Sequence, residues 1–207
     1  MNKLDVIQKI GQAKLLPVAV IKSLEDAKAL LDAITAGGLD IIEITFRTQC
    51  APDAIKYAVK NYPEMLTGAG TVINTEQAKN AIECGAKFIV GPGFSAEVAK
   101  VCQEHSIPYF PGCVTPTEIM AALSCGIDII KFFPAQEFGG LKTINSLSAA
   151  FKDVKFIPTG GINNDNLIDY INNPKIFACG GSWLLKGTLK EITQNVSKAV
   201  KIVNGGN

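Results

Sequence analysis

Short runs of β-branched and aromatic residues recur along the chain: PVAVI at 17–21, IIEITF at 41–46, LTGAGTV at 66–72 and FIVGPG at 88–93. They continue with YFPGC at 109–113, IIKFFPA at 129–135, KFIPTGG at 155–161 and IFACGG at 176–181. Each predicts a strand. The stretches between them carry helix-start signals. Ser23 with Asp26 has the pattern of a capping box, and Thr115-Pro116-Thr117-Glu118 is a fuller one with proline at the first helical position. Ser95 and Asn163 are predicted caps as well. In ITAGGLDIIEIT, AIECGAKFIVGP and ALSCGIDIIKFF, a glycine (Gly38, Gly85, Gly126) closes a helix and a strand follows at once. The gaps between these glycines each hold two strand–helix units of about 22 residues. Ahead of the first strand, Leu4, Ile7 and Ile10 predict a short amphipathic helix over 1–14.

Eight consecutive strand–helix units predict a single α/β domain over 1–207, a closed parallel (β/α)8 TIM barrel with the helix over 1–14 packed on it. An open doubly wound sheet is the competing arrangement. It lacks its phosphate fingerprint, because GAGTVI at 68–73 has no third glycine.

Composition narrows the class. The chain is 47% hydrophobic and 19% charged, with a mean hydropathy of +0.22. That predicts strands buried on both faces or an apolar subunit contact. A net charge of +1 argues against nucleic acid or an anionic membrane as partner. No stretch approaches the roughly 18 apolar residues of a membrane span, and MNKLDVIQKIGQAK lacks the apolar run of a signal peptide. The six cysteines show no CxxC spacing and sit mostly in apolar segments, as reduced core residues of a cytoplasmic protein do. His105, the only histidine, falls near a predicted helix end, so a metal site built on imidazole is not expected.

In such a barrel, chemistry gathers where the strands end. Glu43, Thr45 and Arg47 alternate with Ile42, Ile44 and Phe46, so the polar set is expected to face the barrel interior. A buried Glu43–Arg47 pair that merely closes the barrel is the structural alternative. Lys131 stands among Ile130, Phe132 and Phe133, with no acidic neighbour in the run 129–134. Desolvation there disfavours an ammonium and favours an amine able to attack a carbonyl. A lysine whose stem lies on apolar surface while its head reaches water fits the same pattern. The last two strands end in glycine pairs, Gly160-Gly161 after Thr159 and Gly180-Gly181 before Ser182. Loops after strands seven and eight commonly hold phosphate in these barrels, although turns need glycine too.

Taken together, Gly38 through Glu43-Ile44-Thr45-Phe46-Arg47 and Gly126 through Lys131-Phe132-Phe133-Pro134-Ala135 to Gly139 resemble the two signatures of the 2-keto-3-deoxy-6-phosphogluconate (KDPG) aldolase family. Gly68-Ala69-Gly70-Thr71-Val72, Gly91-Pro92-Gly93, Phe110-Pro111-Gly112 and Pro158-Thr159-Gly160-Gly161-Ile162 match in order, so the resemblance spans roughly 15–203. It implies a class I aldolase, a lyase needing no metal or cofactor. Such an enzyme cleaves KDPG to pyruvate and glyceraldehyde 3-phosphate, and 4-hydroxy-2-oxoglutarate to pyruvate and glyoxylate. Lys131 is the implied Schiff-base lysine and Glu43 the implied general acid/base. Arg47 and Thr71 would hold the pyruvate carboxylate, and Pro92 and Phe133 would line the pocket. Thr159, Gly160, Gly161, Gly180, Gly181 and Ser182 would hold the distal phosphate end. A homotrimer is also implied.

A sister family acting on the galactonate isomer reads Glu-x-Pro-Leu-Asn-Ser on the second strand, so Thr45 and Arg47 favour the gluconate branch. The loop Gln136-Glu137-Phe138 departs from the family's usual pattern. Two rival classes remain. A metal-dependent barrel epimerase needs histidines and acids at strand ends. A non-catalytic phosphosugar-binding protein needs no Glu43–Lys131 couple.

Overall fold

The computed structural model describes residues 1–205; positions 206–207 of the expected domain lie outside them. The strands are β1 (Leu15–Ala19), β2 (Ile41–Thr45), β3 (Leu66–Gly70), β4 (Ile89–Val90), β5 (Tyr109–Phe110), β6 (Ile129–Phe132), β7 (Lys155–Pro158) and β8 (Cys179–Gly181). The helices are α1 (Lys3–Ala13), α2 (Leu24–Ala36), α3 (Ala51–Asn61), α4 (Thr75–Glu83), α5 (Ala96–Glu104), α6 (Pro116–Ser124), α7 (Gly140–Ala150), α8 (Leu167–Ile171) and α9 (Leu189–Val203). A 3₁₀ turn, Trp183–Leu185, follows β8.

All strand pairs are parallel. One ladder runs β5-β4-β3-β2-β1-β8 and another pairs β6 with β7. Backbone hydrogen bonds join the two. On one side the Lys131 N–H donates to Pro111 O (2.8 Å) and the Cys113 N–H to Lys131 O (2.9 Å). On the other, the Phe177 N–H donates to Phe156 O (2.8 Å) and Thr159 bridges Gly180. The sheet therefore curls into the expected (β/α)8 barrel.

Several boundaries differ from the sequence reading. The first strand begins two residues early, at Leu15 and Leu16, which pair with Cys179 and Gly180; Val20 lies outside it and is exposed. β8 starts only at Cys179. β4 and β5 are two residues long, because Pro92 and Pro111 follow closely and lack the N–H a ladder needs. Ser95 caps α5 and Thr115 forms the reciprocal box with Glu118. Ser23 caps α2 through the Asp26 N–H alone. Asn163 is not a helix cap: α8 begins later, and the Asn163 side chain accepts from the Asp165 and Asn166 N–H groups in a turn. Gly38, Gly85 and Gly126 have φ of +86°, +98° and +70°, the left-handed exit glycine favours.

Strand alternation builds two apolar shells. Ile42, Ile44, Ile130 and Phe132 pack outward under the helices. Leu16, Ile41, Leu66, Phe88, Phe110 and Ile157 fill the lower lumen, where Val6 and Ile10 of α1 close the floor. The buried face of α1 is thus Val6 and Ile10, with Ile7 half-buried; Leu4, expected on that face, is 75% exposed. Among the described residues no helix is long and apolar enough to cross a membrane.

Truncating the floor should loosen the barrel. Ile10→Ala is expected to lower unfolding free energy by about 2–5 kcal/mol, as buried isoleucine truncations do. Leu4→Ala on the same helix should stay within about 0.5 kcal/mol. Urea unfolding midpoints of the two variants check this.

Candidate active site

β2 and β6 stand on opposite sides of the barrel, with three strands between them by either route. Their inward side chains meet across the lumen. Glu43 is level with Val18 and Gly68 on its neighbours, just above the apolar floor. Glu43 Oε1 lies 3.6 Å from Lys131 Nζ, with the two side chains 1% and 6% exposed. This is an ion pair too long for a good hydrogen bond, and Glu43 Oε1 has no other hydrogen-bond partner. Two charges taken out of water cost several kcal/mol each, and a well-packed apolar pair often serves stability as well or better. Their presence therefore points to chemistry. The same burial removes the reading of Lys131 as a lysine with its head in water.

Space for the pair comes from glycine. A Cβ on Gly70 would collide with the Glu43 carboxylate, and one on Gly68 would run into the Phe88 ring. The apolar neighbours of Lys131 need correcting. Ile130 and Phe132 alternate to the helix side, where Phe132 packs edge-on against Phe138 and Phe156. Phe133 alone of the three shares its face, with the ring centroid 5.3 Å from Nζ, within reach of a cation–π contact.

Thr45 is buried and donates its hydroxyl to Ala19 O at 2.8 Å. Arg47 lies past the end of β2 at the barrel mouth, so it does not pair with Glu43. Its Nε donates to Thr71 Oγ1 at 3.2 Å. Thr71 has φ +55°, a left-handed conformation that costs a β-branched residue about 1–3 kcal/mol and tends to persist at functional sites.

A cavity of about 460 Å³ opens at this mouth. Arg47, Phe133, Thr159, Gly160, Gly161, Gly181 and Ser182 line it. Gly160 and Gly161 hold φ of +99° and +77°. The N–H groups of Gly160, Gly161 and Ile162 donate to no backbone group among the described residues, which leaves three donors beside the cavity for an anion. Among the described residues no cluster of three or more His, Cys, Asp or Glu side chains forms a metal-binding group.

The sequence pattern of the KDPG and KHG aldolase family matches residues 6–202. The chain belongs to this family. It is 37% identical to the 2-dehydro-3-deoxy-phosphogluconate aldolase of Treponema pallidum, over 97% of this chain and 98% of that one. Its fold superposes with a TM-score of 0.89 on the 2-keto-3-deoxy-6-phosphogluconate aldolase of Zymomonas mobilis ZM4 solved with 3-phosphoglycerate. Those two chains are 38% identical, with 95% of each covered. The KDPG aldolase of Legionella pneumophila, solved with pyruvate captured as a covalent carbinolamine, gives 0.85 at 36% identity over 97% of each chain. Aldolases are lyases, and so is this chain.

Of the residues implied by the aldolase resemblance, Glu43 and Lys131 form the buried pair, and Phe133 connects it to the mouth. Arg47, Thr159, Gly160, Gly161, Gly181 and Ser182 share the cavity wall, and Thr71 joins through Arg47. Gly180 sits within β8 beside the Thr159 hydroxyl. Pro92 is exposed, with its carbonyl against Gly112, and does not line this cavity. Gln136, Asn163 and Lys186 do line it, and the sequence reading singled out none of them as site residues. Each falls a few positions past the end of β6, β7 or β8, which is the signal that would have found them. Burial pushes the thiols of Cys102, Cys113 and Cys179 up to about 12, so they stay protonated and do not rival Lys131 as nucleophiles.

Gly70 gives a direct test of this geometry. Gly70→Ala drives a methyl group into the Glu43 carboxylate and should lower kcat by about a hundredfold, the scale of an ångström-sized misplacement. Circular dichroism should stay native, and steady-state cleavage assays measure the loss.

Proposed function

We propose that this chain is a class I aldolase that cleaves KDPG to pyruvate and glyceraldehyde 3-phosphate through a Schiff base on Lys131, and also cleaves 4-hydroxy-2-oxoglutarate to pyruvate and glyoxylate. The observation that carries the reading is the Glu43–Lys131 pair, 3.6 Å apart and buried, beside the Phe133 ring, which itself lines a cavity with glycine N–H groups at its rim.

Lys131 gives a proton to the Glu43 carboxylate beside it. The resulting amine adds to the C2 carbonyl carbon of the keto acid to form a carbinolamine, whose hydroxyl takes that proton from Glu43 as it leaves. Loss of water gives an iminium ion, which is the electron sink. Glu43 takes the proton of the C4 hydroxyl as the C3–C4 bond breaks, and the bonding pair flows into the iminium to leave an enamine. The aldehyde departs. The proton returns to the enamine's terminal carbon, and water releases pyruvate and free Lys131. Glu43 Oε1, which has no hydrogen-bond partner, is suited to carry this proton.

In this reading Arg47 and Thr71 hold the carboxylate of the pyruvate half by charge-assisted hydrogen bonds. Phe133 borders the pocket, and Pro92, which the resemblance had placed beside it, has no part in this reading. Thr159, Gly160, Gly161, Gly180, Gly181 and Ser182 receive the phosphate end. The arginine–threonine contact between Arg47 and Thr71 favours the gluconate branch over the galactonate one, whose second strand has no such arginine. We read residues 1–207 as one aldolase domain working in the cytoplasm, in keeping with six free cysteines. A homotrimer is supported by exposed apolar side chains such as Leu24, Ile73 and Leu189. Neither nucleic acid nor membrane is a partner in this reading.

Borohydride added with pyruvate should attach one pyruvate-derived mass to the peptide carrying Lys131, and Lys131→Ala should abolish both labelling and turnover. Label on another lysine would refute the mechanism.

Ser182→Ala removes one hydroxyl donor and leaves the backbone path open. A hydrogen bond to a charged group contributes about 1.5–3 kcal/mol, so kcat/KM for KDPG should fall about tenfold or more. The loss on 4-hydroxy-2-oxoglutarate, which has no phosphate, should be smaller. Equal losses on the two substrates would remove the phosphate role of this loop.

A further inference from the structure

We propose that Lys186 is a specificity-determining residue whose ammonium pairs with the distal phosphate and so separates phosphorylated from unphosphorylated 2-keto acids. The inference rests on the aldolase reading above and goes beyond it, since neither the sequence signatures nor that reading assigns Lys186 a role.

Lys186 follows the 3₁₀ turn after β8 and lines the cavity with Gly160, Gly161, Ile162 and Ser182. Its backbone is held at two points. The N–H donates to Trp183 O (3.4 Å), and the carbonyl accepts from Asn195 Nδ2 (3.2 Å) on α9. The ammonium is in none of the ion pairs among the described residues. A lysine fixed at its root, free at its head and standing at the rim of a cavity is placed to meet a ligand.

The charge pattern gives that ligand its character. Arg47 and Lys186 are the two charged side chains lining the cavity, and no carboxylate lines it; Gln136 and Asn163 supply neutral amides instead. Arg47 already engages Thr71 at the β2–β3 side, whereas Lys186 stands at the β8 side among the unpaired glycine N–H groups. A substrate with a carboxylate at one end and a phosphate at the other offers one anion to each of these two cations. The backbone donors recognise an oxygen of any kind. The lysine adds charge, and a phosphate monoester carries about −1.5 to −2 at pH 7. Lys186 therefore favours the phosphorylated acid specifically. In 4-hydroxy-2-oxoglutarate the chain stops at a carboxylate beside C4, and in 2-keto-3-deoxygluconate the terminal group is an uncharged hydroxyl. Neither gains from this contact.

The test compares KDPG, 2-keto-3-deoxygluconate and 4-hydroxy-2-oxoglutarate in Lys186→Met and Lys186→Arg. Because the side chain is solvent-exposed, its contact is partly screened, and Lys186→Met should lower kcat/KM for KDPG about fivefold to tenfold, mainly through KM. The two unphosphorylated substrates should change less than twofold. Lys186→Arg should restore most of the KDPG activity, and added salt should shrink the difference between wild type and Lys186→Met. Equal losses on all three substrates, or KDPG kinetics within twofold of wild type, overturn the proposal. Pyruvate trapping on Lys131 is measured alongside. Its absence in the unsubstituted enzyme overturns the aldolase reading and this inference with it. Normal trapping without a phosphate-dependent loss overturns the inference alone.

Discussion

A carboxylate and an ammonium facing each other across a narrow lumen constrain everything around them. Neither Glu43 nor Lys131 can sit on the apolar floor, because ions there would lose water without recovering it. The floor is therefore a separate layer of Leu16, Ile41, Leu66 and Phe88, sealed by α1, and the ions occupy the next layer up. Room for them is made by omission. Gly68 leaves its place to Phe88 and Gly70 leaves its place to the Glu43 carboxylate. A third requirement is rigidity: two groups on opposite strands keep a 3.6 Å separation only if the barrel between them is closed, and the hydrogen bonds of Lys131 to Pro111 and Cys113 help to close it at the reacting residue itself.

Above this layer, in the proposed reading, the barrel holds the polar ends of a ligand without competing for them. Thr71 is kept in a left-handed conformation where its hydroxyl meets Arg47. The glycine pair after β7 takes positive φ and leaves its N–H groups unspent. The first of these features opposes local stability through backbone strain. It is tolerated because the two apolar shells below carry the fold. The division of labour is that of the barrel architecture in general, with stability at the lower end and chemistry at the strand C-termini. Here it is drawn between adjacent inward layers, one wholly apolar and one holding the ion pair.

Much of this was legible in the sequence. Periodicity determined the eight strand–helix units, the exit glycines at 38, 85 and 126, and the closed barrel, because burial on both strand faces and glycine at left-handed turns are local demands that leave local marks. The signatures around Glu43 and Lys131 determined the family. Alternation along one strand placed Glu43 and Thr45 inward correctly. Tertiary structure decided the rest. Arg47 shares that parity but lies beyond the strand end, and its partner is Thr71, 24 residues away. Ile130 and Phe132, adjacent to Lys131 in the chain, face the helices, while the partner of Lys131 comes from the opposite wall. Lys186 and Gln136 reach the cavity only because the barrel brings the ends of β6 and β8 beside that of β7. Sequence patterns report which face of an element is buried; barrel closure decides what that face meets, since contacts across a lumen join residues that no local period relates.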